Sequence, residues 1–166
     1  IPLRLVGSEM CIRDSINCDF VIVKATEGVN YVNPSFSQHC QQTLSSNKLL
    51  GLYHFADGYN PILEAKHFLN VSAPYIDKAV LVLDFEGNVV RTGGVSWAKE
   101  FLDYVREHAH TTPIIYMGLS DENCLNWYSC CSYPLWIAQY NNFIPVSGFA
   151  PRAIYGSCLL YTSDAA

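Results

Sequence analysis

The sequence contains no long uncharged hydrophobic run, and its longest apolar stretches are strand-length segments such as AVLVLDF. A membrane-spanning helix needs about 18 or more apolar residues in succession, so we expect no membrane-embedded segment. Basic residues are also few, since 10 Lys plus Arg stand against 15 Asp plus Glu and no Lys/Arg-rich run occurs. The resulting formal charge of −5 disfavours a nucleic-acid partner.

Sequence motifs for several cofactor and metal chemistries are missing as well. The phosphate-binding loops GxGxxG and GxxxxGK[ST] are absent, which argues against dinucleotide-binding and P-loop proteins, and the zinc motif HExxH is absent too. The seven cysteines form no CxxC pair and no Cys/His zinc spacing. We therefore expect neither a metal nor an organic cofactor, and we expect the cysteines to be buried free thiols.

Both ends of the chain look foreign to the rest. Residues 10–14 (MCIRD) match the translation of AG-ATG-TGT-ATA-AGA-GAC-AG, the end of a transposon-based sequencing adaptor, and residues 158–163 (CLLYTS) match the translation of its complementary strand. We therefore expect residues 1–15 to be a non-native leader and residues 158–166 a non-native tail. Residues 16–157 would then be one native, partial domain.

Strand and helix signals alternate along residues 16–157. Short apolar runs predict buried strands at 20–25, 51–55, 79–85, 112–118 and 134–139, with a further strand starting near 153–155. The dipeptides Asn33-Pro34 and Asn60-Pro61 predict two helix starts, and apolar residues at four-residue spacing from Trp97 to Ala109 predict a core-facing helix. This alternation predicts an α/β fold with a parallel sheet, either doubly wound or closed into a barrel.

Two carboxylates project from the end of the strongest predicted strand. Side-chain alternation places Asp84 and Glu86 on one face at the carboxyl end, where α/β barrels assemble their active sites. Glycosidic bond cleavage requires such a pair, because one carboxyl protonates the leaving oxygen while the other supports the oxocarbenium-like centre. We predict that both are catalytic, and that Asp84 and partial burial raise the pKa of Glu86. A solvated strand end is the alternative interpretation.

Aromatic side chains accompany these acids. Tyr53, Tyr116, Trp136 and Tyr140 lie at or near the carboxyl ends of successive predicted strands. Aromatic faces stack on sugar rings while their polar tips form hydrogen bonds, so we predict that these four residues bind substrate, although each taken alone also fits a core position. His54 is more simply interpreted as a hydrogen-bonded structural residue than as a base or ligand.

Five ordered segments resemble glycoside hydrolase family 25, the lysozymes of phage endolysins and bacterial autolysins. They are DFVIVKATEG (19–28), GLYHFA (51–56), VLDFEG (82–87), PIIYMG (113–118) and PLWIAQY (134–140). The resemblance implies an irregular TIM-like β/α barrel that hydrolyses the β-1,4 bond between N-acetylmuramic acid and N-acetylglucosamine, with peptidoglycan glycan strands as its partner. Glu86 matches the proton donor of the family and Asp84 matches its partner acid. The resemblance leaves open whether a carboxylate or the substrate's acetamido group stabilises the anomeric centre.

Two features of that family have no counterpart in the sequence. A first strand with an Asp in a D-V-S-type motif would precede Ile16, and a late strand with another active-site Asp would follow Ser157. We therefore expect an incomplete barrel in which the strand at Phe20 has an open edge, and a chain that is inactive and poorly folded as written. Localisation and oligomeric state stay open beyond the expectation that the enzyme acts on the bacterial cell wall.

Two rival functions are weighed against the muramidase. A chitinase-like barrel would need acids at Ala79 and Val82 to complete its D-x-x-D-x-D-x-E pattern, so the sequence rejects it. A catalytically inactive barrel that only binds cell-wall glycan is disfavoured because both Asp84 and Glu86 are retained.

Overall fold

The computed structural model describes residues 19–138 in full and residues 3–6 and 153–154 by their backbone. The strands are β1 (Leu3–Val6), β2 (Phe20–Glu27), β3 (Tyr31–Val32), β4 (Leu49–Phe55), β5 (Ala79–Asp84), β6 (Ile114–Gly118), β7 (Leu135–Ala138) and β8 (Ala153–Ile154). The α-helices are α1 (Phe36–Ser45), α2 (Pro61–Ser72), α3 (Asn88–Thr92), α4 (Gly94–Ala109) and α5 (Leu119–Cys124). Short 3-10 helices cover Ala73–Lys78 and Trp127–Cys130.

The strands form one sheet in the order β1-β2-β4-β5-β6-β7-β8. Every ladder along this order is parallel, and only the two-residue β3 pairs antiparallel, against β2. The predicted α/β class is therefore confirmed. No ladder joins β1 to β8 among the described strands, so closure of the barrel is not seen in them.

The edge of β2 differs from the sequence-based expectation. We expected an open edge at Phe20, but β1 pairs with β2 from Leu3↔Phe20 to Val6↔Val23. The expectation was wrong because a ladder needs only backbone donors and acceptors, which residues 3–6 supply. At the other end of the sheet, β8 pairs with β7, in agreement with the predicted strand start near residue 153.

The helices begin close to the predicted positions. At α2, Asn60 is the N-cap and its side-chain Oδ1 accepts a hydrogen bond from the Leu63 N–H at 2.9 Å, with Pro61 as the first helical residue. At α1, Asn33 accepts from the Ser35 N–H instead, and the helix starts later, at Phe36. None of the helices in the described part of the chain is long and apolar enough to cross a membrane.

The sheet separates two apolar regions. The main core lies between the sheet and the helices, where β5 contributes Leu81 and Leu83 and α4 contributes Trp97 and Phe101. A smaller inner cluster occupies the other face and consists of Ile22, Tyr53, Val82, Tyr116 and Trp136. The predicted alternation along β5 is thus confirmed. Of the described cysteines, Cys40 and Cys130 are buried free thiols as expected, whereas Cys124 is exposed.

Candidate active site

One row of paired residues crosses five strands at the carboxyl end of the sheet. Glu27 pairs with Phe55, Phe55 with Asp84, Asp84 with Tyr116, and Tyr116 with Trp136. We call these five residues the site row. The row brings the predicted acid Asp84 next to Tyr116 and places Trp136 one strand farther along, because parallel strands in register place their carboxyl ends along one edge.

A β-bulge directs a charged pair of β2 toward the same face. The β2–β4 register shifts between Lys24 and Thr26. Since a bulge adds one residue to the strand, Lys24 and Glu27 come to one face, although residues three apart in a regular strand point oppositely. Their Nζ and Oε2 atoms lie 2.7 Å apart. The Lys24 ammonium also lies 5.3 Å from the centre of the Phe55 ring. A positive charge is therefore located beside the site row.

Asp84 is a buried acid in an unfavourable place for a negative charge. Its side chain ends β5 with 6% of the residue exposed, and its Oδ1 atom has no hydrogen-bond partner among the described residues. Burial, reinforced by the nearby negative charge of Glu86, raises the pKa of Asp84 well above its usual range. The ammonium of Lys24 opposes this rise in pKa only in part.

Glu86 follows two residues later and is half-buried. Burial raises the pKa of Glu86, and the negative charge of Asp121 raises it further. A hydrogen-bonding interaction with Asp84 acts in the opposite direction and lowers this pKa. The direction and the contribution of burial agree with the sequence-based prediction. The predicted contribution of Asp84 was wrong, because the neighbouring acid that raises the pKa of Glu86 is Asp121, whereas the interaction with Asp84 lowers it.

Asp121 is an acid that the sequence analysis missed. It lies in the first turn of α5, three residues beyond the end of β6. The signal that identified Asp84 and Glu86, an acid next to the carboxyl end of an apolar strand, also applies here with a longer offset. It was overlooked because the intervening Leu119 and Ser120 place Asp121 in a helix rather than on the strand.

Three of the four predicted substrate-binding aromatics are brought together. Tyr53, Tyr116 and Trp136 all belong to the inner cluster, and the rings of Tyr116 and Trp136 meet edge to face with centroids 4.6 Å apart. They are 7%, 2% and 3% exposed, so they form a buried aromatic surface beside Asp84 and are largely shielded from solvent. Tyr140 lies outside the described residues. Sugar binding by these residues remains a prediction.

His54 lies on the opposite face of the sheet, against the main core. Its Nδ1 lies 2.8 Å from the Thr26 hydroxyl, its Nε2 lies 2.8 Å from Oε2 of Glu64, and its ring stacks on Phe101. Burial lowers the pKa of His54, and the neighbouring carboxylate of Glu64 only partly opposes this. Both ring nitrogens are therefore used structurally, in agreement with the interpretation from sequence.

The described residues contain no group of three or more His, Cys, Asp or Glu side chains arranged to hold a metal ion. The carboxyl groups of the site row, of Glu86 and of Asp121 lie beside the aromatic side chains of the inner cluster. The Lys24 ammonium lies at the same edge of the sheet.

The sequence is similar to those of several curated proteins. An N,O-diacetylmuramidase from Chalaropsis sp. is 32% identical over 136 residues, which cover 71% of this chain and 61% of the relative. Protein YegX of Escherichia coli (strain K12) is 30% identical over 132 residues, which cover 76% of this chain and 48% of the relative. The chain thus spans about half the length of the first curated relatives it matches.

Solved structures show the same fold. The crystal structure of a bacterial lysozyme from Streptomyces coelicolor superposes with a TM-score of 0.77 at 22% identity, covering 90% of this chain and 79% of that chain. Residues 13–147 match the sequence model described as "Glycosyl hydrolases family 25". Because this match covers most of its length, the chain belongs to glycosyl hydrolases family 25.

Proposed function

We propose that this domain is an N-acetylmuramidase that hydrolyses the β-1,4 bond between N-acetylmuramic acid and N-acetylglucosamine in peptidoglycan. The observation that carries the proposal is the Asp84–Glu86 pair at the carboxyl end of β5, where both carboxyls have a raised pKa. Membership of the family and the resemblance to a diacetylmuramidase support the same substrate class. The pair provides acid catalysis without a cofactor.

Glu86 is the general acid in this proposal. A general acid must hold its proton near the working pH and must reach the leaving oxygen. Glu86 meets the first requirement because its pKa is raised, and it meets the second because it is half-buried and so remains open to a ligand. Protonating the glycosidic oxygen lets the leaving sugar depart as a neutral alcohol while positive charge develops at the anomeric carbon.

Asp84 acts as the partner acid. Asp84 is the last residue of β5, and Glu86 follows two residues later at the same end of the strand. The two carboxyls are coupled, so the pair as a unit retains one proton at a higher pH than a free carboxyl would. When Glu86 gives up its proton, Asp84 shares the charge that remains.

The aromatic side chains of the inner cluster provide the sugar-binding surface in this proposal. Tyr53, Tyr116 and Trp136 lie in the same face as Asp84, and the Trp136 indole N–H has no hydrogen-bond partner among the described residues. An indole donor next to an apolar ring face suits a sugar, which has both hydroxyl acceptors and apolar C–H faces. We include Tyr140 in this surface on the basis of its sequence position alone.

The test is a digestion of purified peptidoglycan. Because we propose that residues 1–15 and 158–166 derive from an adaptor, the assay uses residues 16–157 with their natural flanking sequence on both sides, which we call the extended domain. The products are reduced with borohydride and analysed by mass spectrometry. A muramidase leaves N-acetylmuramic acid at the new reducing ends, which borohydride reduces to muramitol, whereas a glucosaminidase leaves N-acetylglucosamine, which is reduced to glucosaminitol.

Release of muramitol ends by the extended domain, and none by its Glu86→Gln variant, supports the proposal. Binding to peptidoglycan without release of any reducing end would instead identify the inactive glycan-binding barrel. Glucosaminitol ends would contradict the proposed bond specificity.

A further inference from the structure

Asp121 folds back over the end of strand β6. A Cβ atom built on Gly118, the last residue of β6, would lie 3.3 Å from Oδ2 of Asp121 and 3.9 Å from its Cγ. Because Gly118 has no side chain, the Asp121 carboxylate occupies the space above the strand end. Tyr116, two residues earlier on the same strand, faces the inner cluster. Residues two apart on a strand share a face, so the Asp121 carboxylate lies on the side of Gly118 that faces the inner cluster.

The strand register places this carboxylate beside Glu86. Asp84 pairs with Tyr116, and the Phe85 N–H donates to the Tyr116 carbonyl at 2.9 Å. Glu86 and Gly118 each lie two residues beyond this last pair, at the same edge of the sheet, and the charge of the carboxylate that covers Gly118 acts on Glu86. The negative charges of Asp121 and Glu86 accordingly repel each other.

The backbone of Asp121 is held in this position from its helical side. Its carbonyl oxygen accepts a hydrogen bond from the Trp127 indole N–H at 3.4 Å and from the Cys124 thiol at 3.2 Å. Trp127 is buried in the main core, so the first turn of α5 is anchored to the body of the domain. Among the described residues, no donor bonds to the Asp121 carboxylate itself. Its negative charge therefore acts on Glu86 as well as on the N-terminus of α5.

We propose that Asp121 is a positioning residue of the active site, whose carboxylate keeps the proton on Glu86 and so holds the general acid ready at neutral pH. This inference rests on the proposed function of Glu86 for its catalytic meaning. Other charges near the site are Asp84 on β5, which bonds to Glu86, and the Lys24–Glu27 pair on β2, which acts mainly on Asp84. Asp121 is the member of this set that raises the proton affinity of Glu86 through charge.

The first test is a direct titration that does not depend on activity. The 166-residue chain is labelled with carbon-13 at Glu side-chain carboxyls, and the Glu86 signal, assigned with Glu86→Gln, is followed against pH. In Asp121→Asn the Glu86 midpoint should fall by roughly half a pH unit or more, as expected for removal of one nearby charge in a partly solvated site. Asp77→Asn is the matched control, because exposed Asp77 precedes β5 at the opposite end of the sheet. An unchanged Glu86 midpoint in Asp121→Asn would overturn the proposal.

The second test separates a positioning role from a structural one. In the extended domain, Asp121→Asn should move the alkaline limb of the activity profile to lower pH by the same amount, and Asp121→Glu should restore it. A structural role would lower activity equally at every pH. If Glu86 proved not to be the general acid, the limb would stay in place while the Glu86 midpoint still moved, so failure of the proposed function is distinguishable from failure of this inference.

Discussion

Nε2 of His54 lies 2.8 Å from Oε2 of Glu64, and both side chains are fully buried. The Glu64 carboxylate also accepts three main-chain hydrogen bonds, from the N–H groups of Asp57, Gly58 and Tyr59 at 2.9–3.1 Å. This single side chain, which projects from α2, therefore fixes the loop between β4 and α2 next to the site row. A buried charge in the main core thus organises part of the edge of the sheet where the site row lies.

Replacing this carboxylate should destabilise the fold. In Glu64→Gln one acceptor oxygen becomes an amide NH₂ that faces existing donors, so buried groups lose their partners. We expect the free energy of unfolding to fall by about 2 kcal/mol, a typical cost for an unsatisfied buried hydrogen-bonding group. Urea unfolding measures this. Glu107→Gln, on the exposed side of α4, is the control and should leave stability within about 0.5 kcal/mol.

The same pair predicts loss of stability in acid. Burial lowers the pKa of His54 from 6.5. Below that pH the unfolded chain therefore binds a proton at His54 more readily than the folded chain does. For Glu64, burial raises the pKa, but the hydrogen bonds from His54 and the loop outweigh it and lower the pKa below 4.5. His54 therefore destabilises the fold as the pH falls below about 6.5, and Glu64 adds to this as the pH falls below about 4.5. The melting temperature of His54→Gln should depend less on pH over the upper part of this window than that of the wild type. Equal dependence would contradict the assignment.

Much of the fold was predictable because the strands are short apolar runs that end at glycine, proline or polar residues. β4 and β5 were predicted nearly to their ends, since both faces of these strands are covered and leave an almost continuous apolar pattern. β3 was not predicted, because Tyr31–Val32 is too short to show any periodicity. The pairing of β1 with β2 was not predicted because it depends on backbone hydrogen bonds that carry no side-chain signal.

The candidate site was predictable to the extent that it follows one strand. Asp84 and Glu86 were found by alternation along β5, which is local information. Asp121 and Glu64 were not predicted, because each lies on a helix and acts on a residue of another element that only folding brings near. The bulge in β2 that brings Lys24 and Glu27 to one face likewise needs the register of a neighbouring strand.

Glu86→Gln in the extended domain should abolish muramidase turnover. Glutamine keeps the shape of the side chain but cannot donate the proton to the glycosidic oxygen, so we expect a loss of at least about 100-fold. Release of reducing ends from peptidoglycan measures activity, and co-sedimentation with peptidoglycan measures binding, which should persist. Glu107→Gln again serves as the control. A variant with near wild-type turnover and unchanged thermal stability would show that another group is the acid.

Asp84→Asn should separate stability from activity. The raised pKa of Asp84 means that its carboxyl favours the folded state below about pH 3.8 and loses that advantage as the pH rises through its folded-state pKa. Asparagine cannot ionise, so the variant should melt higher than the wild type at pH 7, on the order of 3 °C, and show little difference at pH 3. Turnover should nevertheless fall sharply. A lower melting temperature at pH 7 would mean that Lys24 compensates the buried charge fully.

Gly87 links the catalytic strand to α3 through a backbone conformation that other residues avoid. Its φ of 71° and ψ of −136° lie outside the regions open to L-residues, yet a Cβ atom built there meets no atom within 4 Å. Gly87→Ala should therefore act through backbone strain alone and lower the free energy of unfolding by about 1–3 kcal/mol. Because Glu86 is the preceding residue, relief of that strain should also displace the proposed general acid and reduce turnover by more than stability alone explains.

The control is Asn88→Ala at the exposed start of α3, where the backbone is already helical and neither stability nor turnover should change much. If Gly87→Ala lost stability but kept full turnover at a temperature where it stays folded, the orientation of Glu86 would not depend on this turn.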